Sequence, residues 1–64
     1  MPVSDLDIHR TAHQWIALHG ERAVPKARAM VHDFRRRGDI DGADTWLRII
    51  VALGTLARSA GARQ

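Results

Sequence analysis

The sequence predicts an all-α protein: a compact three-helix domain with helices at about 5–19, 23–37 and 40–58 and with antiparallel neighbours. Apolar residues recur at steps of three and four along each segment, as amphipathic helices require. Glycines follow the first two segments, and Pro25 stands where a helix can begin. At 64 residues the chain is predicted to form one domain over 1–64, with a frayed tail at 59–64.

Helix 1 is predicted to begin after Ser4, whose hydroxyl can accept a hydrogen bond from a first-turn amide. Asp7 follows three residues later, where an acid suits the positive end of the helix dipole. Gly20 can take a positive φ, so it is the predicted stop of this helix. Helix 1 therefore covers about residues 5–19.

Helix 2 is positioned by Pro25, which lacks an amide proton and therefore belongs in the first turn of a helix. The arginines at 35–37 suit the negative C-terminal end of the dipole, and Gly38 can end the helix. Helix 3 follows after a tight turn, where Asp39 or Asp41 can cap it. Its apolar residues cover more than half of its circumference, so it is predicted to be the central helix, packed on both sides.

Each helix contributes apolar residues to the predicted core. These are Ile8, Ala12, Trp15, Ile16, Ala27, Met30, Val31, Phe34, Trp46, Leu47, Ile50 and Leu53. Both tryptophans are included because a chain with only one other aromatic residue is expected to bury them.

Several turn and core positions also form a recognisable set: Ile8, Ala12, Ile16, His19, Gly20 and Ala23, then Gly38, Asp39, Ile40, Asp41, Gly42, Trp46 and Ile50. This set resembles short uncharacterised proteins of alphaproteobacteria, which share an H-G turn, a G-D-x-x-G turn and a downstream Trp. The resemblance spans about residues 8–56. It implies a helical bacterial protein and adds no functional site.

Positive charge is concentrated in one segment. Residues 22–38 hold six basic residues and one acid, a net charge of +5, whereas the whole chain carries +3. Arg28, His32 and Arg35 share one ridge of helix 2, and Arg36 lies beside it. Such a face can contact phosphate or an acidic partner, although outward-facing arginines also simply keep a helix in solution.

An apolar margin on helix 3, formed by Ile49, Leu53 and Leu56, is the second candidate contact surface. The apolar arc is wider than two neighbouring helices need cover, and such a surplus can mark a homodimer interface or a docking groove. Alternatively, helices 1 and 2 flank helix 3 and cover both edges.

Two histidines one helical turn apart, His9 and His13, could project beside Asp5, but they lack an H-E-x-x-H motif and are interpreted as a polar flank. The aspartates at 39, 41 and 44 fit capping better than calcium binding. No nucleophile and base stand in a known arrangement, and no Gly-rich phosphate loop is present. We therefore predict no catalytic, metal or cofactor site.

These observations favour a small non-enzymatic protein-interaction module whose partner is another protein or a second copy. The alternative is a nucleic-acid-associated regulator that uses the basic face of helix 2. Because the sequence has neither a leader pattern nor an apolar run of membrane-spanning length, a cytoplasmic location without membrane contact is expected.

Overall fold

The computed structural model describes the backbone of residues 4–61 and the side chains of residues 4–58, and these residues are helical almost throughout. The elements are α1 (Asp5–His19), α2 (Ala23–Arg36) and α3 (Ile40–Gly61), and a single 3₁₀ turn at Gly20–Arg22 joins α1 to α2. The Cα radius of gyration is 12.0 Å, close to the ~11 Å expected for a folded chain of this length. The prediction of a compact all-α protein is confirmed.

The predicted count of three helices holds only in part. Because the 3₁₀ turn follows α1 directly and leads directly into α2, residues 5–36 form one continuous helical run that changes direction at the turn. If each unbroken helical run is counted once, the described residues therefore contain two helices. Helix α3 also extends past its predicted end at residue 58. Of the predicted tail, residues 59–61 continue α3, and residues 62–64 lie outside the described part of the chain.

Local capping signals set the helix ends as predicted. The Ser4 hydroxyl accepts a hydrogen bond from the Asp7 amide at 3.2 Å, which satisfies one of the unpaired amides at the start of α1. The two glycines that follow α1 and α2 both adopt positive φ, 55° at Gly20 and 78° at Gly38. A residue with a Cβ adopts this conformation at a cost, so glycine is favoured at both positions.

The connection between α2 and α3 is a Schellman motif that leads directly into the next helix. The Gly38 amide donates to the Arg35 carbonyl at 3.0 Å, and the Asp39 amide donates to the Phe34 carbonyl at 2.9 Å. Asp39 then caps α3, because its Oδ1 accepts from the Gly42 amide at 2.9 Å. Of the two aspartates that the sequence offered as caps, the structure selects Asp39.

Replacing this cap gives a first prediction. We expect Asp39→Ala to lower the free energy of unfolding by about 1 kcal/mol, because the first turn of α3 loses its side-chain acceptor. Asp41→Ala is the matched control, since Asp41 is an acid in the same first turn that favours the helix dipole, and the Thr45 hydroxyl donates to its main-chain carbonyl, which the substitution keeps. Urea unfolding measures both, and an equal loss in the two variants would contradict the assignment of the cap.

Helices α2 and α3 form an antiparallel hairpin. Near the turn, the Phe34 ring lies against Gly42, and at the far end Val24 lines a groove together with Leu56 and Ala57. Helix α1 lies across α3 instead of along α2, because residues from both ends of α1 share grooves with the same part of α3. Antiparallel packing is therefore observed for α2 and α3, whereas α1 contacts α3 more extensively than it contacts α2.

The core is built mainly from alanine. The buried residues are Ile8, Ala12, Ala23, Ala27, Val31, Ala43, Ile49, Ala52 and Leu53, and Leu53 is the one large side chain below 2% exposure among the described residues. Small side chains allow helices to approach closely, but each buries little apolar area. The three helices are therefore packed tightly around a core of small volume.

The predicted core is correct for Ile8, Ala12, Ala27, Val31 and Leu53, which are buried. A second group is half-buried: Trp15, Ile16, Met30, Phe34, Trp46 and Ile50. Of these, Trp15, Ile16, Trp46 and Ile50 pack against the core. The prediction for Leu47 is wrong, because its side chain is 39% exposed.

Candidate functional site

Three large aliphatic residues form an exposed row along α3, which we call the outer stripe: Ile40, Leu47 and Val51. They are 62%, 39% and 69% exposed. Spacings of seven and four residues place all three on one side of the helix, and the row is about 16 Å long. The outer stripe is thus an ordered apolar surface on the side of α3 that faces away from Ile49 and Leu53.

The apolar margin predicted from the sequence is not this surface. Ile49 is 2% exposed and Leu53 is 1% exposed, so both belong to the core, and Leu56 is half-buried against it. The prediction that they are accessible to a partner is therefore wrong for Ile49 and Leu53. The alternative, in which the other two helices cover both edges of helix 3, holds for this edge only, because Leu47 on the other edge is exposed.

The physical reason is the rotation of α3 about its own axis. Leu47 and Ile49 are two residues apart, which places them about 200° apart around a helix, on nearly opposite sides. Once Ile49 and Leu53 face α1 and α2, Leu47 and Val51 must face outward. The sequence predicted the surplus of apolar surface on α3 but placed it on the wrong side.

Two open grooves flank the contact between α1 and α3. The first has a volume of about 310 Å³, with Ile8, Ala52 and Leu56 in its walls and Asp5 and His9 also lining it. Val51 lines the same groove, so the groove continues into the outer stripe. The second, of about 400 Å³, lies between Ile16, Val24 and Leu53. Apolar surface therefore extends from the outer stripe toward α1.

The basic face predicted on α2 is present as an exposed ridge, formed by Arg28, His32, Arg35 and Arg36. Spacings of four, seven and eight residues keep these side chains on one side of the helix, away from the buried Ala27. The four side chains are exposed, and their spacing gives them a common orientation. Contact of this basic ridge with a partner stays a prediction.

Arg37 is held apart from the basic ridge by two interactions. Its Nη2 lies 2.8 Å from Asp33 Oδ2, and its guanidinium carbon lies 5.8 Å from the centroid of the Phe34 ring. An exposed i, i+4 pair of this kind contributes at most about 0.5 kcal/mol. Its main consequence is that Asp33, the one acid of α2, is paired with Arg37.

The tryptophans and histidines considered in the sequence analysis either support the fold or lie exposed on the surface. Trp15 donates from Nε1 to the Ala23 carbonyl at 2.8 Å. Its ring makes edge contacts with His19 at 4.2 Å and with Trp46 at 4.7 Å between centroids, so this half-buried cluster joins all three helices. His9 and His13 are exposed, and residues 4–61 contain no group of three His, Asp or Glu side chains placed to hold a metal ion.

Small residues were the sequence signal that could have located the outer stripe. A Cβ built on Gly42 would lie 2.6 Å from Phe34 Cδ1, so α2 and α3 touch where α3 has no side chain. Ala52, on the side of α3 near α1, is also buried. Gly42 and Ala52 thus mark sides of α3 that neighbouring helices approach, and the bulky residues 40, 47 and 51 lie on another side.

Comparisons with protein-family models, curated proteins and solved structures find no match for this chain. The resemblance to short alphaproteobacterial proteins accordingly stays a prediction. Across residues 4–61, none of the helices combines the length and apolar character needed to cross a bilayer.

Proposed function

We propose that this protein is a small, non-enzymatic protein-interaction module of the cytoplasm, and that the outer stripe of α3 is its contact surface. The observation that carries the proposal is the distribution of apolar side chains. Alanines fill much of the core, whereas Ile40, Leu47 and Val51 form an ordered row in solvent. Ordered exposed apolar surface is typical of protein–protein contacts.

The size of the chain supports the same proposal. A domain of this length buries only about 60% of the surface of its unfolded chain, so its stability margin is small. An alanine-rich core adds little to that margin, because burial stabilises in proportion to apolar area. Association through the outer stripe would remove further apolar area from water, and small domains often gain stability in this way.

The absence of catalysis in this proposal rests on the sequence. Its few hydroxyl residues do not stand in an arrangement with a base that would activate a nucleophile. The proposal therefore assigns the two grooves beside α1 to recognition of a partner's side chains, not to chemistry.

A capture experiment tests the proposal. We expect tagged wild-type protein to recover a discrete partner from its native lysate. The double substitution Leu47→Ser with Val51→Ser should reduce that recovery at least about tenfold, because the two aliphatic side chains together contribute more than ~1.4 kcal/mol to the contact. The matched control is Leu6→Ser with Leu18→Ser, which removes two exposed leucines of α1, 62% and 74% exposed, away from the stripe.

Circular dichroism should show the same helix content in all three proteins, because each substitution lies on the surface. Equal recovery by the stripe variant and the wild type would contradict the proposed contact surface.

The basic ridge of α2 supports a second candidate function, a nucleic-acid-associated regulator. The observation that favours this function is that the ridge carries no carboxylate between its basic side chains, which share one orientation: Arg28, His32, Arg35 and Arg36. This function makes three demands on the same capture experiment. Nuclease treatment should abolish recovery of the partner, the double substitution Arg28→Glu with Arg35→Glu should also abolish it, and added salt should weaken it. Recovery that survives all three treatments favours the protein-interaction function.

A further inference from the structure

We infer that the outer stripe binds the outer stripe of a second copy of this chain, with the two α3 helices antiparallel about a twofold axis. The inference rests on the proposed function, because it names the partner of the same surface. It is carried by the exposed side of α3, where two aliphatic residues, Leu47 and Val51, lie between the acid Asp44 and the base Arg58.

The exposed side of α3 has a regular register. Asp44 and Arg58 are exposed and lie on the same side as the outer stripe, and Gly54 lies between Val51 and Arg58 on that side. Successive residues on this side of α3 are spaced alternately by four and by three positions: 40, 44, 47, 51, 54 and 58. This alternation is the pattern that lets two helices pack along one seam.

In heptad notation, residues 44, 51 and 58 take position a, and residues 40, 47 and 54 take position d. In an antiparallel pair, each a position packs against a d position of the other helix. Aligning the two copies about their midpoint places Leu47 opposite Val51 of the second copy, and Val51 opposite Leu47. The centre of the seam then contains four aliphatic side chains that are exposed in the single chain. At the next layer Asp44 meets Gly54, where a Cβ would find no neighbouring atom within 4 Å, so the seam has room for the aspartate.

Charge complementarity favours this direction. Side chains on a helix lean toward its N-terminus. In the antiparallel pair, Asp44 leans toward the end that holds Arg58 of the second copy, and that Arg58 leans toward Asp44. The pair therefore closes one ion pair at each end of the apolar centre.

A parallel pair lacks this complementarity. It would place Asp44 beside Asp44 and Arg58 beside Arg58, and like charges at close distance are destabilising. Thr55, at the border of the seam, can be covered in either case, because its hydroxyl already donates to the Val51 carbonyl at 3.2 Å. The charges of Asp44 and Arg58 thus favour the antiparallel direction, while the aliphatic residues supply the attraction.

The mass of the purified protein in solution tests the pairing. We expect sedimentation equilibrium to show a rise from the 7.2 kDa of one chain to twice that value as the protein concentration increases. A mass of one chain at every concentration would overturn the inference. If the capture described above still depended on Leu47 and Val51, the proposed function would stand with a different partner.

Charge reversal tests the direction. We expect Asp44→Arg and Arg58→Asp each to raise the dimer dissociation constant about tenfold, because each breaks two symmetric ion pairs and brings like charges together. The double variant restores both pairs with their signs exchanged and should recover most of the affinity. Far-UV circular dichroism of each variant confirms that the helices are intact, and a double variant no tighter than the single ones would overturn the antiparallel arrangement.

Discussion

Leu53→Ala should remove a large part of the free energy of unfolding of this protein. Leu53 is the largest side chain that α3 buries completely, at 1% exposure, and it packs in the cluster with Ile8, Ala27 and Ile49. Removing a buried leucine costs about 2–5 kcal/mol, from lost apolar burial and from the cavity left behind. A chain of this length has a total stability of only about 3–10 kcal/mol, so this one substitution removes a large part of it.

Thermal unfolding followed by circular dichroism measures this effect. In a domain of this size each kcal/mol shifts Tm by about 4–8 °C. The matched control is Leu47→Ala on the same helix, which deletes the same atoms from a side chain that is 39% exposed. At low protein concentration, where association contributes little, its effect should be smaller, about 1–2 kcal/mol, because part of the side chain is already in water and no enclosed cavity is left behind.

This comparison also tests the corrected orientation of α3. The sequence placed both leucines in the core and also assigned Leu53 to an exposed margin, whereas the structure separates them. Equal losses in the two variants, or a larger loss at Leu47, would contradict the observed rotation of the helix.

Ala27→Leu should be the second most damaging change. Ala27 is 0% exposed on the side of α2 that belongs to the core, where the helices approach closely. A leucine there adds three carbons to a fully packed contact, and the helices must separate or distort to admit them. Overpacking of this kind typically costs about 1–3 kcal/mol.

Ala29→Leu is the control for this change, because Ala29 is exposed two residues further along the same helix. Alanine and leucine have similar helix propensities, so the control should change the free energy of unfolding by only about 0.2 kcal/mol. Urea denaturation of both variants gives the comparison. If Ala27→Leu were as stable as Ala29→Leu, the close packing of α2 in the core would be disproved.

Helix boundaries could be predicted from sequence because they depend on local chemistry. Ser4 bonds an amide three residues away, and Gly38 adopts a positive φ that residues with a Cβ avoid. Pro25 lies in the first turn of α2, as its missing amide proton requires. Each signal acts within one turn of the chain, so no knowledge of the neighbouring helices was needed. The exception is the link between α1 and α2, where the chain remains helical through the 3₁₀ turn.

The basic ridge of α2 was predictable for a related reason. Apolar residues occupy only one side of α2, so the side that packs and the side that faces solvent follow from the sequence pattern. Arg28 and Arg35 accordingly lie where the pattern placed them, in solvent.

The outer stripe could not be found in this way. Helix α3 carries apolar residues around most of its circumference, so its periodicity does not distinguish the side that holds Ile49 from the side that holds Leu47. The packing of α1 across α3, and of α2 along it, decides which of the two is buried.

The amino-acid sequence by itself thus determined that the chain is helical, where most helix ends lie, and which side of α2 is cationic, because these properties arise from interactions within a few residues. Tertiary structure alone decided how α3 is rotated, and with it which aliphatic residues stabilise the core and which remain in solvent. The physical reason is that burial is a relation between elements distant in the chain, and a helix with two apolar sides takes its orientation from the neighbours that cover it.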